Sequence, residues 1–144
     1  MLLSHDLGAT WTPAGEGLGG NQTALSSDAS GSLVLAGTDT QVFRSQDRGD
    51  SWTCSSAGLK SVWIDALALD PREPSTVWAG GTGHYGSGPG LFRSVDSGLS
   101  WSPAAGREGP RGVLALAIDP DHPSTMYAGG WDAVFRTEDG GLTW

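Results

Sequence analysis

The octet Ser45-Gln46-Asp47-Arg48-Gly49-Asp50-Ser51-Trp52 is the most informative stretch of this 144-residue chain, because it occurs four times. It returns as SHDLGATW at 4–11, SVDSGLSW at 94–101 and TEDGGLTW at 137–144. The shared pattern is Ser or Thr, any residue, Asp, any, Gly, any, Ser or Thr, Trp. From average residue usage, such an octet should start by chance at about one position in several hundred thousand. Four copies therefore define a repeat, with Asp6, Asp47, Asp96 and Asp139 spaced by 41, 49 and 43 residues. Each position has a folding rationale. The Asp carboxylate accepts backbone N–H groups to close an Asx-type turn, and Gly8, Gly49, Gly98 and Gly141 suit a corner with positive φ. The hydroxyls satisfy remaining turn groups, while Trp11, Trp52, Trp101 and Trp144 supply large apolar anchors.

Outside the octet the similarity continues. LALDPREPSTVWAGG at 67–81 matches LAIDPDHPSTMYAGG at 116–130, and LSSDASGSLVLAG at 25–37 is a looser copy. An apolar–aromatic–Arg lead precedes three octets, as Val42-Phe43-Arg44, Leu91-Phe92-Arg93 and Val134-Phe135-Arg136; Met1-Leu2-Leu3 fills the first slot without the Arg. The stretches between turn signals are short and rich in Val, Leu, Ile, Trp and Tyr, which predicts strands and no helix. In the second unit strand A is expected over 64–69, B over 77–81, C over 91–94 and D from about Ser100, with Asp70-Pro71 and Asp119-Pro120 opening the A–B turns. Units of this length with four short strands point to an all-β fold, a β-propeller of four-stranded antiparallel blades with the octet as the C–D hairpin. The expected division is 1–21 as the end of one blade, 22–62 and 63–111 as two blades, and 112–144 as a blade lacking most of its last strand. That amounts to about three blades of an incomplete ring. The remainder is expected from further blades of a longer chain or from a second copy closing the ring.

Composition narrows the function classes. Only 8 Lys plus Arg against 16 Asp plus Glu leaves a net charge of −8, so the cationic footprint of a nucleic-acid binder is missing. No apolar run reaches the ~20 residues of a membrane helix, so no membrane insertion is expected. A single cysteine, Cys54, excludes an internal disulfide, and its place in strand D predicts a small buried residue. His5, His84 and His122 fall on separate turns, so no metal or other cofactor is expected.

The octet resembles the Asp-box, or BNR repeat, of sialidase-like propellers in the WD40/YVTN/BNR-like superfamily. The longer unit, LA(L/I)DP..PST..AGG…(L/V)FRS.D.G..W, resembles repeats of family-74 glycoside hydrolases, the xyloglucanases. It is also similar to repeats of photosystem II assembly factors and sortilin-type receptor propellers. The resemblance covers nearly the whole chain. It implies that the boxes lie on the face opposite the ligand site, leaving segments 12–22, 38–41, 53–63, 82–90, 102–112 and 131–133 on the ligand face.

On that face the carboxylates are Glu16, Asp39, Asp65, Glu108 and Asp132. Asp65 stands out because it begins the strand that lines a propeller's channel, where the other units carry Thr23 and Leu114. Paired with Glu108 or Asp132 it would make the two-carboxylate arrangement of a glycosidase. Sialidase chemistry would need an arginine cluster, but Arg44, Arg93 and Arg136 sit at repeat positions explained by blade packing. Trp63, Trp131, Tyr85 and His84 are the candidate ligand-binding groups; the last two belong to a glycine-rich insertion at 82–90. Trp78 and Tyr127, at equivalent places in strand B, are expected in the core. The expected role is a non-catalytic scaffold or binding module for a protein or carbohydrate ligand. The alternative is part of a xyloglucanase-like or sialidase-like glycoside hydrolase.

Overall fold

A computed structural model describes residues 1–59, 62–83, 89–104 and 109–144. Alternating strand-formers separated by Gly, Pro and Asp fold into four antiparallel sheets. β1 (Leu2–Leu3) and β2 (Thr12–Pro13) form a two-stranded ribbon. β3 (Gln22–Ser27), β4 (Val34–Thr38), β5 (Val42–Ser45) and β6 (Thr53–Cys54) form the first full blade. β7 (Val62–Leu69), β8 (Val77–Gly83), β9 (Leu91–Ser94) and β10 (Ser102–Pro103) form the second. β11 (Ala115–Ile118), β12 (Met126–Gly129) and β13 (Val134–Thr137) form a three-stranded third sheet. In every full blade the strands lie side by side in chain order, and no closed sheet occurs among the described residues. The chain is an open arc of β-propeller blades.

The octets at 4–11, 45–52 and 94–101 fold as two-residue hairpin turns. The Asp50 N–H meets the Asp47 carbonyl at 3.4 Å, with φ of 63° at Arg48 and 95° at Gly49. Two successive positive φ values give the primed twist that matches right-handed flanking strands. The sequence points to one such corner, at the glycine; the structure has two, and Leu7, Arg48 and Ser97 occupy the second without being glycine. Side chains hold them there. Ser45 Oγ accepts the Gly49 N–H at 2.8 Å, and Asp47 accepts the Ser51 N–H at 2.9 Å and the Ser51 hydroxyl at 2.5 Å. Trp52 Nε1 donates to the Gly49 carbonyl at 2.9 Å, closing the loop.

Neighbouring blades are joined by a recurring set of contacts. Strand-B glycines allow the next blade's strand A to approach: a Cβ at Gly37 would lie 2.6 Å from Ile64 Cγ2, and one at Gly80 2.4 Å from Val113 Cγ1. After strand D, the Glu16 and Ala57 carbonyls accept the Trp52 and Trp101 N–H groups at 2.9 and 2.8 Å. Arg44 Nε donates to the Ser97 carbonyl of the next octet at 2.9 Å, so this repeat-position arginine serves the blade joint. The third octet adds an exchange of its own: Trp101 Nε1 donates to the Ser55 carbonyl at 2.9 Å while Ser55 Oγ donates to the Gly98 carbonyl at 2.5 Å. The core accordingly lies between blades, with Leu35 and Val42 of one packed on Ile64, Phe92 and Trp101 of the next.

Two expectations are corrected. Cys54 is exposed, because β6 is only two residues long and forms the outer edge of its sheet. Tyr127 is 42% exposed, whereas Trp78 at the equivalent site is 4% exposed. Trp78 lies against Gly141 of the following octet, a contact that Tyr127 lacks among the described residues.

Candidate functional site

The turns sort onto two faces. The Ser97 N–H bonds the Ser75 carbonyl at 2.8 Å and the Gly140 N–H bonds the Ser124 carbonyl at 3.0 Å, so octets and A–B turns share one face. On the opposite face the D–A and B–C connections meet. There Asn21 Nδ2 donates to Asp39 at 2.9 Å and the Asp39 N–H to the Asn21 carbonyl at 3.2 Å. The octet carboxylates, each locked in its own turn, are therefore remote from this second face.

The strand registers align Asn21 and Asp39 of the first full blade with Trp63 and Thr82 of the second, and with Gly112 and Trp131 of the third. One structural pair thus carries a polar couple in one blade and a tryptophan in each of the next two. Trp63 is 49% exposed and Trp131 56% exposed. The Trp131 ring rests on the backbone of Gly112, where a Cβ would lie 2.7 Å from Cδ2 and 2.9 Å from Cε2. That glycine has a φ of 55° and lies beside Pro110, a fully buried residue. The ring is a platform fixed from beneath, with much of its surface open to solvent.

Asp65 sits on a β-bulge. Ile64 pairs with Gly81 and Ala66 with Gly80, and the register shifts between them. Bulges re-aim side chains, and here the carboxylate accepts the hydroxyl of Thr82 at 2.5 Å. The same irregularity holds Thr23 in the first full blade, whose hydroxyl donates to the Gly37 carbonyl at 3.2 Å and to the Ile64 carbonyl of the next blade. Asp132 is exposed in the β12–β13 turn, and no hydrogen bond joins it to Asp65 among the described residues. Glu108, His84 and Tyr85 lie outside the described residues. Thr82, Pro110 and Gly112 support the site without any mark in the sequence: their roles depend on a bulge and on a loop folding under a ring.

No family model and no curated protein matches the sequence. Among solved structures, the chain is similar to an ancestral GH74 enzyme, at 21% identity and a TM-score of 0.80 over 98% of this chain and 20% of that one. It is similar to the GH74 xyloglucanase from Xanthomonas campestris at 17% identity and a TM-score of 0.65, covering 86% of this chain and 23% of that one. YCF48 bound to D1 peptide aligns at 17% identity and a TM-score of 0.66, covering 87% and 39% of the respective chains. At these identities the likeness establishes the propeller fold. The chain spans only 20 to 39% of the length of these three.

Proposed function

We propose that this chain is a segment of a propeller that binds a ligand without transforming it, on the face built from its D–A and B–C connections. The observation that carries this reading is the pair of exposed tryptophans, Trp63 and Trp131, which are opposite members of the same structural pair in adjacent blades. An indole face with an exposed polar neighbour such as Asp132 suits a sugar ring or an extended peptide, where stacking supplies affinity and the polar group sets orientation. The likeness to YCF48 bound to a peptide supports a protein segment as ligand. In this reading the octets are Asp-boxes of the BNR type and purely structural. The rest of the ring comes from further blades, and the chain divides at 1–21, 22–62, 63–111 and 112–144.

A second reading has one observation in its favour. Asp65 is a carboxylate on a bulge of the strand that lines the channel, in a chain with the fold of GH74 enzymes. It would then be one acid of a glycoside hydrolase, with its partner at Glu108, at Asp132 or in further blades.

Calorimetric titration with xyloglucan oligosaccharides and with a panel of extended peptides separates the two. Binding that weakens about tenfold or more in Trp63→Ala and Trp131→Ala, with no sugar released, supports the binding module. Hydrolysis that is lost in Asp65→Asn with folding intact would replace it with the enzyme.

A further inference from the structure

The second full blade has a neighbour packed on each side. Its Ile64 fills the space over Gly37 of the first full blade, and Val113 of the third fills the space over its Gly80. What this blade exposes is therefore exposed with both of its joints made. Along Val62–Ala66 buried and open residues alternate, so Trp63, 49% exposed, and Asp65, half-buried, open on one side of β7. Two residues of strand rise put them roughly 7 Å apart. Thr82 pairs with Trp63 across the ladder and donates its hydroxyl to Asp65 Oδ2 at 2.5 Å. Thr82 is itself buried, so the carboxylate is held from the core side by a neutral donor. No cationic side chain among the described residues pairs with Asp65.

A carboxylate fixed beside an exposed indole is suited to a planar cation. A guanidinium stacks on the ring face and donates its N–H groups to the carboxylate at the same time. The surroundings carry the matching sign. Glu16, Asp39 and Asp132 are the other described carboxylates of this face, against one described cation, Arg111. The whole chain carries a net charge of −8. A sugar hydroxyl reaching Asp65 leaves its charge uncompensated, whereas a guanidinium cancels it.

We propose that Trp63 and Asp65 form a subsite for an arginine side chain of an extended protein segment. The inference rests on the reading of this face as a binding surface and commits it to a cationic peptide. Trp63 supplies the stacking face, Asp65 the counter-charge, and Thr82 positions the carboxylate.

The test is titration of the whole chain, followed through its indole N–H resonances, with three probes. They are a blocked Gly/Ser peptide with one central arginine, its citrulline twin of the same shape without the charge, and a xyloglucan oligosaccharide. The arginine peptide should shift the Trp63 resonance and bind about tenfold or more tightly than the citrulline twin. Rising salt should narrow that gap. Asp65→Asn keeps an oxygen for the Thr82 hydroxyl, and it should bring the two peptides level, whereas Trp63→Ala should weaken both. Equal binding of the two peptides to the wild type, or a preference that survives Asp65→Asn, would overturn the proposal. An oligosaccharide that shifts Trp63 while the arginine peptide does not would overturn it and leave the binding face standing. Silence from all three probes would overturn both.

Discussion

At the scale of single residues, the octet is a turn in which side chains stand in for backbone partners. Ser94 is buried and its hydroxyl accepts the Gly98 N–H at 2.8 Å. Ser94→Ala leaves that buried N–H without a partner, so a loss of about 1–3 kcal/mol is expected in chemical denaturation. The carboxylates respond to pH. Asp6, Asp47 and Asp96 are each lowered from 3.8 to about 2, first by the hydroxyls of Thr10, Ser51 and Ser100 and then by backbone N–H and further hydroxyl donors. Asp139 shifts the same way through Thr143. Since the folded-state values are depressed, these groups stabilise the fold fully above the ordinary carboxylate range. That contribution fades as pH falls towards 2. Melting temperatures should therefore hold from neutrality to about pH 4 and drop below it; a melting temperature unchanged down to pH 2 would contradict the turn assignment. Much of this was readable in the octet itself, because Asp, Gly and the hydroxyls each have one economical use in a tight hairpin. The second positive-φ residue was not, since Leu7, Arg48 and Ser97 have no common chemistry that would mark it.

At the scale of elements, glycine placement reports on neighbours more than on the strand that contains it. Gly80 must lack a side chain because Val113 of the next blade fills the space, with Cγ1 2.4 Å from a built Cβ. Gly129 occupies the same register position in the third blade, and there a Cβ would meet only the Ala115 Cβ at 3.6 Å. Gly80→Ala should accordingly cost about 1–3 kcal/mol through overpacking; a change within about 0.5 kcal/mol in urea denaturation would mean that the blades do not approach as described. The strands and their order follow from the repeat, but their ends do not. β7 begins at Val62, two residues before the expected start, and β8 runs on to Gly83. Pairing between Trp63 and Thr82 extends both strands beyond the apolar run, and the bulge at Asp65 keeps the alternation in step with the core. A bulge leaves no local signature, so neither the Asp65–Thr82 contact nor the role of Thr23 could be drawn from spacing.

At the scale of the whole molecule, the arc separates two tasks. One face is knit by octets and A–B turns whose polar groups are consumed internally, while the other presents Trp63 and Trp131 on a scaffold of connections. The resemblance of the repeat already implied this division. Which blades would carry the aromatics depended on the pairing of Asn21 with Asp39, Trp63 with Thr82 and Gly112 with Trp131, which no single segment displays. The central claim is that ligand recognition belongs to the face opposite the octets. Amide hydrogen exchange with and without the peptide or oligosaccharide that binds tests it most directly. The account predicts added protection in 12–22, 38–41 and 109–112 and around Trp63 and Trp131, with the octets at 45–52 and 94–101 unchanged. Protection appearing at the octets, with none on the tryptophan face, would contradict it.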